Sequence, residues 1–486
     1  ELGVMGLCAD YALFYDLNWS QGWETYKATN THPIVSYLFR DTTVQVSQRV
    51  APWSYGGPRS YHLAEQGRTV VPIDFLTPDL SRLGDRYRNT YWGHGQKILA
   101  ALDEVAGNDL LDAIWPQRPG LPAAPVYEHP APYAPTPRAE KLRLVREAMR
   151  NAGAQAHFVS TLDDIAWITN LRGADVSYNP VFLAHLLLDL AGGTLFVGAG
   201  KVDAALAARL AADGLRIAPY EQAGAALAAL GAGARLLVDP KRVTFGLRAQ
   251  VGLGTPVVEA INPSTLLKSR KNAAEAAFVR EAMAEDGAAM CAFYARFEAA
   301  LARGERVTEL TVDEWLSAER ARRAGFVGLS FPTIAGFAAN GAMPHYRASA
   351  ESHAVIAVAP GEGGLLLIDS GGQYLGGTTD ITRVWPIGTP SAAMKRDYTL
   401  VLKGTMALSR TRFPRGTLAP MLDALARAPL WAEGIEFGHG TGHGVGYFLN
   451  VHEGPQSISK AIPDTHMAME PGMITSIEPG VYRPGQ

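Results

Sequence analysis

Hydrophobic residues recur at helical spacing in two long stretches of the chain. Leu142, Val145 and Met149 form one stripe directly after a proline-rich segment. A second stripe includes Val279, Met283, Met290, Phe293 and Phe297. Apolar residues three and four positions apart share one face of an α-helix, so each stripe predicts a helix that packs on a core.

Polar residues indicate where two further helices begin. The segment Ser160–Asp163 can cap a short helix that holds Ile165 and Trp167. Thr311 and Glu314 have the spacing of a capping box, which predicts that another helix opens at that point.

Short apolar runs predict strands between these helices. Runs at 194–197 and 236–238 alternate with alanine-rich helical stretches, and beyond Phe331 glycine and strand-forming residues dominate. The most apolar stretch, 181–200, contains charged and glycine residues and is too interrupted for a transmembrane helix. The pattern therefore predicts a mixed α/β or α+β fold.

Composition divides the 486 residues into three regions, and a chain of this length exceeds what one hydrophobic core organises. Residues 1–107 are aromatic and polar, and they allow no assignment: they are either a diverged first domain or a chimeric join. If they form a domain, we expect its tryptophans to be buried in a core of its own. Residues 108–265 are rich in Ala, Leu and Gly and include a proline-rich connector at 116–137, which cannot be helical. Residues 266–486 contain the groups that suggest chemistry.

Charge and cysteine content narrow the choice of partners. The formal net charge of -3 gives no electrostatic reason to expect nucleic acid or an anionic membrane as a partner. Cys8 and Cys291 are the only cysteines and lie far apart in the sequence. This usage excludes a disulfide framework and favours a reduced, cytoplasmic location.

Two segments of the third region each place a carboxylate at the end of an apolar run. Asp369 and Glu478 both follow such a run and both stand two residues before a glycine. One such acid alone is equally well explained by a turn or a helix cap. Two of them suggest a duplicated strand that brings both acids to one site, where a buried carboxylate must be paired or bound to metal.

Asp380 follows Asp369 across a segment with two glycine pairs, Gly371-Gly372 and Gly376-Gly377. Glycine pairs are turn signals, so we expect a hairpin that holds both carboxylates on one face. Two close carboxylates repel, and without a cation one of them would take up a proton.

Histidines are concentrated in the segment 437–455. His439, His443 and His452 fall within fourteen residues, although the whole chain has 12 histidines. The glycines between them allow the backbone to approach a bound ion or substrate closely. Three carboxylates and one imidazole form an oxygen-rich ligand set that suits Mn²⁺, with Zn²⁺ or Co²⁺ as alternatives, and metal-assisted hydrolysis.

These motifs resemble a known family. The order Asp-x10-Asp, then Gly-x-Gly-His, then Ile-Glu-Pro-Gly resembles the pita-bread metallopeptidases, which include methionine aminopeptidase, prolidase and aminopeptidase P. The strings HGTGHGVGYFLNVHEGP, LIDSGGQYLGGTTDITR and NGAMPHY resemble the long, three-domain form of aminopeptidase P. The likeness also covers 110–270, and therefore about three quarters of the chain.

The resemblance implies a C-terminal pita-bread catalytic domain at 266–486 after a smaller creatinase-N-like α/β domain at 108–265. It implies two divalent ions held by four metal ligands, which are Asp369, Asp380, His443 and Glu478. His345 and His452 would bind the substrate peptide and take part in catalysis, and His439 would be an auxiliary catalytic histidine. The implied substrates are peptides with proline in the second position, and the implied enzyme is a cytoplasmic homodimer.

One feature of the family is missing from this sequence. The resemblance implies a fifth metal ligand, a glutamate on the strand that would follow Gln486. We therefore expect the chain as given to be impaired as an enzyme. Two other interpretations stay open: a prolidase or methionine aminopeptidase of the same fold, and an inactive peptide-binding module.

Overall fold

The computed structural model describes residues 115, 117–231 and 233–483, together with the backbone of four strands nearer the N-terminus. The prediction that the tryptophans of 1–107 are buried lies outside the described residues. The chain divides into two compact units, 1–120 and 121–486. In the first unit an antiparallel sheet runs in the order β1 (Tyr26–Lys27), β2 (Val44–Gln48), β3 (Ser60–Glu65) and β4 (Thr69–Asp74).

The first half of the second unit is an α/β layer. Its strands are β5 (Tyr127–Glu128), β6 (Ala156–Val159), β7 (Leu171–Arg172), β8 (Ala184–Asp189), β9 (Gly193–Val197), β10 (Leu215–Pro219), β11 (Leu236–Val238) and β12 (Val257–Glu259). Its helices are α1 (Arg138–Asn151), α2 (Leu162–Thr169), α3 (Ala204–Ala212), α4 (Ala223–Ala228), α5 (Phe245–Ala249) and α6 (Pro263–Ser269), with a 3₁₀ turn at Tyr220–Gln222. Six strands form one mixed sheet in the order β10-β9-β8-β6-β11-β12.

The predicted stripe of α1 is confirmed. Leu142, Val145 and Met149 have no exposed surface and pack against β8 and β9 residues in one core. The apolar stretch 181–200 forms the β8–β9 pair rather than a helix. In the part of the chain that the structure describes, no helix has both the length and the apolar character needed to cross a membrane.

The second half of this unit carries the candidate site. Its helices are α7 (Ala273–Ala302), α8 (Glu309–Ala321), α9 (Ala392–Arg410) and α10 (Asp423–Trp431), with 3₁₀ turns at Ala338–Ala342, Ala419–Leu422 and Thr465–Met467. Its strands are β13 (Phe326–Leu329), β14 (Ile334–Phe337), β15 (Gly363–Ser370), β16 (Gly372–Tyr374), β17 (Gly377–Thr378), β18 (Ile381–Gly388), β19 (Gly442–Gly444) and β20 (Glu453–Ile458). Strand β15 lies between β14 and β18, and both pairings are antiparallel.

The predicted stripe of α7 is confirmed except at Met283. Met290, Phe293 and Phe297 are buried, but Met283 is exposed. In the first half of the helix, Val279 and Ala282 pack against Gly377 of β17. Glycine at that position of the strand leaves room for the helix to approach closely.

The predicted start of α8 was wrong. The helix begins at Glu309, and its N-cap is Thr308 rather than Thr311. The Thr308 hydroxyl accepts a hydrogen bond from the Thr311 backbone N–H, and the Thr311 hydroxyl accepts one from the Thr308 N–H. Because a second threonine completes the reciprocal pair, no glutamate is needed at that position.

Candidate metal centre

The β15–β18 pair places Asp369 and Asp380 at the same end of one sheet. Asp369 is the penultimate residue of β15 and lies opposite Thr382, and Asp380 directly precedes β18. The short β16–β17 hairpin occupies the chain between the two acids. The predicted hairpin is therefore present, with its second carboxylate just before the returning strand.

His443 and Glu478 come from two segments that lie side by side. The segment with Glu478 was predicted to be a strand, but it makes only one bridge, between Thr475 and Gly444. The segment with Glu478 runs alongside β19 and is joined to this part of the chain by two hydrogen bonds, from Ser476 N to His443 O and from Glu478 N to Thr441 O. Gly442 permits this approach, since a Cβ there would lie 2.1 Å from the backbone oxygen of Ser476.

Three of the four predicted ligands converge directly. Nε2 of His443 lies 3.3 Å from Oδ2 of Asp380 and 3.2 Å from Oε1 of Glu478. One ligand atom from each of these three half-buried residues lies within 4.8 Å of the others. These spacings are short enough for the three side chains to hold one cation.

The hydrogen bonds around His443 orient its ring. Nδ1 lies 2.8 Å from Gly444 O, which leaves Nε2 for the carboxylates. Burial by itself lowers the pKa of His443, but hydrogen bonds to Asp380 and Glu478 outweigh it and raise the pKa to about 10. A backbone contact that fixes one ring nitrogen and frees the other is typical of histidine metal ligands.

Asp369 lies beside this group and lacks a full set of partners. Its Oδ1 is shielded from solvent and has no hydrogen-bond partner among the described residues. Burial and then the charge of Asp380 raise the pKa of Asp369 to about 7. A buried carboxylate oxygen without a donor, next to a second carboxylate, fits a site completed by a cation.

His452 and His345 are adjacent to the ligand group. The His452 ring lies 4.3 Å from that of His443, centroid to centroid, in an edge-on arrangement. Burial and the charge of His443 lower the pKa of His452, and the charge of His345 contributes further. His345 has a positive φ of 58°, so the loop that carries it adopts a backbone conformation uncommon for a non-glycine residue.

His439 is held by a residue that the sequence patterns did not single out. Its Nε2 lies 2.7 Å from the hydroxyl of Tyr482, and its Nδ1 lies 2.7 Å from Gly440 O. Burial and then the charge of Glu478 raise the pKa of Tyr482 to about 12. Tyr482 is therefore a neutral hydroxyl between His439 and the carboxylates.

Two hydroxyl residues also support the carboxylates and were missed. The Ser476 hydroxyl donates to Oε1 of Glu478 at 2.5 Å, and Thr382 gives Asp369 a hydrogen bond. Ser476 stands two residues before Glu478, the spacing that places side chains on one face of an extended segment. This two-residue spacing is the sequence signal from which the contact between Ser476 and Glu478 could have been predicted.

The donor set fits divalent metal chemistry. Three carboxylates and one imidazole offer mostly oxygen ligands, which suit hard or borderline divalent ions. The neighbouring histidines offer hydrogen-bonding groups beside that position. The arrangement is therefore able to hold a cation and to bind and protonate a polar substrate next to it.

Comparison with known proteins also indicates a metallopeptidase. Residues 277–486 match the model of metallopeptidase family M24, and residues 117–275 match that of the creatinase/prolidase N-terminal domain. A probable Xaa-Pro aminopeptidase P of Sordaria macrospora is 38% identical over 403 residues, which are 81% of this chain and 64% of that protein. A relative of the same description from Laccaria bicolor is 37% identical over 451 residues, 88% of this chain and 68% of that one.

Comparison with solved structures also finds an aminopeptidase and a dipeptidase. An X-prolyl aminopeptidase from Caenorhabditis elegans, described as a cytosolic enzyme with a di-nuclear active site, superposes with a TM-score of 0.72 at 30% identity over 81% of this chain and 65% of that one. The dipeptidase PepE of Mycobacterium ulcerans gives a TM-score of 0.56 at 28% identity, covering 72% and 90%. The chain spans about two thirds of the length of the aminopeptidases that it matches. The chain belongs to metallopeptidase family M24, with a creatinase-type N-terminal domain, pita-bread catalytic architecture and Xaa-Pro aminopeptidases P as its relatives.

Proposed function

We propose that the protein is a metal-dependent aminopeptidase that releases the N-terminal residue from peptides with proline in the second position. The observation that carries this proposal is the convergence of Asp380, His443 and Glu478 within 4.8 Å. The relatives supply the substrate class, since those described as Xaa-Pro aminopeptidase P are 36–38% identical to this chain over most of its length.

Asp369 completes the proposed ligand set of four side chains. Mn²⁺ is the proposed metal, with Zn²⁺ or Co²⁺ as alternatives, because oxygen donors predominate. Bound divalent ions would polarise the scissile carbonyl and lower the pKa of the attacking water. The roles of the chain's own residues follow from their positions around this set.

His452 and His345 bind the peptide beside the ligand set. Because burial lowers the pKa of His452, its ring is neutral near pH 7 and can donate one hydrogen bond and accept another. It lies against His443, so a peptide carbonyl at the ligand set comes within its reach. Against the effect of burial, hydrogen bonds from His443 and Ser476 lower the pKa of Glu478, and His439 lowers it further. This effect supports an auxiliary role for His439, which is itself hydrogen-bonded to Tyr482.

Cleavage assays with three short peptides test the substrate class. In the presence of Mn²⁺ we expect alanine to be released faster from Ala-Pro-Phe than from Ala-Ala-Phe, at the reduced rate expected of the chain as given, and this activity to be lost after EDTA treatment. Asp380→Asn is the inactive reference, since it removes a ligand charge but keeps the side-chain shape. Equal cleavage of both tripeptides would contradict the proline specificity.

A dipeptidase is the second candidate, favoured by the likeness to the M. ulcerans dipeptidase across 90% of that chain. It predicts cleavage of Ala-Pro and no cleavage of Ala-Pro-Phe. Tight binding of Ala-Pro-Phe without any cleavage would support the third interpretation, an inactive peptide-binding module.

The proposal includes the domain organisation and the setting of the enzyme. We assign 1–107 to an N-terminal region, 108–265 to the creatinase-N-like domain and 266–486 to the catalytic domain; the two family matches adjoin near residue 276. A cytoplasmic location is supported by the C. elegans neighbour. Peptides as partners are supported by the aminopeptidase relatives, and the net charge of -3 gives no electrostatic reason to expect nucleic acid or an anionic membrane. The homodimer is an extension of the family resemblance, and light scattering at several concentrations tests it.

A further inference from the structure

Two buried Asp–Arg pairs lie behind the candidate metal centre, one in each half of the catalytic region. The first pair joins Asp286 of α7 to Arg320 of α8, and the second joins Asp423 to Arg427 within α10. All four side chains are at most 6% exposed. Buried ion pairs contribute little net stability, so two of them next to one site call for another explanation.

The two pairs have the same hydrogen-bond pattern. In the first, Arg320 Nε donates to Asp286 Oδ1 at 2.6 Å, and the Thr379 hydroxyl donates to Oδ2 at 2.7 Å. In the second, Arg427 Nε donates to Asp423 Oδ2 at 2.6 Å, and the Thr441 hydroxyl donates to Oδ1 at 2.6 Å. In both pairs, therefore, one carboxylate oxygen accepts from the arginine Nε and the other accepts from a threonine. Asp286 has two further donors, the Tyr374 hydroxyl on Oδ1 and Arg320 Nη2 on Oδ2.

Each threonine is next to a candidate ligand in the chain. Thr379 directly precedes Asp380, and Thr441 stands two residues before His443. The backbone oxygen of Thr441 also accepts the N–H of Glu478 at 2.7 Å. The carboxylates of Asp286 and Asp423 thus hold the two threonines in place. Through them they fix the backbone beside the three converging residues, which are Asp380, His443 and Glu478.

The arginines add a second link on each side. Arg320 Nη2 donates to the hydroxyl of Ser370, which follows Asp369, at 3.1 Å. Arg427 donates to the backbone oxygens of Phe437 and His439 at 2.8 and 2.7 Å. Since a planar guanidinium presents its donors in a fixed fork, each pair constrains direction as well as distance.

We infer that the two Asp–Arg pairs are positioning groups for the metal centre, and that they act through the hydroxyls of Thr379 and Thr441. They preset the carboxylates and the imidazole in the geometry that a divalent ion requires. The inference rests on the proposed function only in taking the ligand set to bind a divalent ion, and it makes no assumption about the peptide.

The test replaces each hydroxyl in the full 486-residue chain and measures Mn²⁺ affinity by calorimetric titration. We expect Thr379→Val and Thr441→Val to weaken binding by about 10–100-fold, the range found for groups that orient metal ligands. Thr379→Ser and Thr441→Ser keep the donor and should bind Mn²⁺ as the parent does. If a valine is not accommodated, Thr379→Ala and Thr441→Ala remove the same donor without adding an apolar group.

Thr169→Val is the matched control. Thr169 is also fully buried, and its hydroxyl donates to Ile165 O inside α2 at 2.7 Å. We expect this variant to melt at a lower temperature than the parent without metal and to bind Mn²⁺ equally well. A merely structural role for Thr379 and Thr441 would give the same result.

If the serine variants, the valine variants and Thr169→Val all bind Mn²⁺ with equal affinity, the inference is overturned. That result leaves the proposed peptidase function unaffected. Conversely, a parent that cleaves Ala-Ala-Phe as fast as Ala-Pro-Phe but shows the expected order of Mn²⁺ affinities overturns the proposed proline specificity and supports the positioning role. A parent that binds no Mn²⁺ overturns both.

Discussion

Nε2 of His443 lies between two carboxylates, 3.3 Å from Oδ2 of Asp380 and 3.2 Å from Oε1 of Glu478. The three residues come from separate parts of the catalytic region: β19, the residue before β18 and the segment after β20. Nothing in the local sequence alone requires them to meet. The cation that we propose to be bound here would account for the convergence of two acids and one imidazole.

The first prediction concerns this histidine. His443→Gln removes the imidazole nitrogen that faces both carboxylates, and we expect Mn²⁺ affinity and peptide cleavage to fall by at least about 10–100-fold. Calorimetric titration with Mn²⁺ measures the first, and alanine release from Ala-Pro-Phe measures the second. His466→Gln is the control, since His466 lies on the surface beside Asp464. Equal losses in both variants would contradict the ligand role of His443.

Much of this fold follows from periodicity that the sequence displays. The stripe of α1 and the apolar runs of β9 and β11 depend on burial of one face or one short run, and neighbouring positions reveal both. The strand-end position of Asp369 could be predicted for the same reason. Local patterns therefore identify elements and the acids at their ends.

The interactions that shape the site could not be predicted, because they join residues far apart in sequence. Asp286 and Arg320 look like ordinary surface charges of two helices, yet both are fully buried in contact with each other. The bond between His439 and Tyr482 also depends on tertiary packing alone. The start of α8 was misplaced for a local reason, since a threonine serves there where a glutamate was expected.

The second prediction concerns Glu309, the fully buried first residue of α8. Its carboxylate accepts hydrogen bonds from the backbone N–H groups of Phe337 and Ala354 and from the side chains of Asn340 and Tyr346. These donors flank the loop that carries His345. In Glu309→Gln, an amide nitrogen faces donors that need an acceptor, so we expect a loss of about 1–3 kcal/mol in the free energy of unfolding.

If His345 binds the peptide, the same variant raises KM for Ala-Pro-Phe, because the loop is no longer held in place. Tyr346→Phe is the matched control, since it removes one donor and leaves the carboxylate with its other partners. Urea unfolding and steady-state kinetics provide the two measurements. An unchanged KM in a destabilised Glu309→Gln protein would show that Glu309 supports the fold and not the histidine.

The third prediction is a pH dependence of stability that originates in His157 of β6. Burial lowers the pKa of this imidazole from 6.5 to about 4. Between these values the unfolded chain binds a proton and the folded protein does not. The free energy of unfolding therefore falls as the pH decreases from 6.5 toward 4, by roughly 3 kcal/mol in total for this one group.

His157→Phe removes the titrating group, and we expect its stability to fall less steeply than that of the parent over the same interval. Urea unfolding at several pH values gives the difference between the two curves, which isolates His157 from the other histidines. His466→Phe, at an exposed position, should follow the parent curve. If the free energy of unfolding of His157→Phe and of the parent changed equally with pH, the pKa of His157 in the folded protein would be close to its ordinary value.

The last prediction concerns the buried charges that join α6 to the segment after His452. Lys271 donates to Oε1 of Glu453, and Nζ of Lys268 lies 3.4 Å from Oε2 of the same residue. Lys268, Lys271 and Glu453 are each at most 5% exposed. Lys271→Met leaves the carboxylate with less compensating charge, and we expect a loss of about 3–5 kcal/mol.

Because the loss reflects an unpaired buried charge, neutralising the partner should recover part of it. The double variant Lys271→Met/Glu453→Gln is therefore expected to be less destabilised than the sum of the two single variants. Arg415→Met is the surface control: Arg415 pairs with Glu470 at 2.6 Å but is 72% exposed, and its loss should be about 1 kcal/mol or less. Urea unfolding of all four variants measures the coupling. Strict additivity of the two single changes would show that Lys271 and Glu453 are paired in geometry but not in energy, so that the position of His452 depends on other contacts.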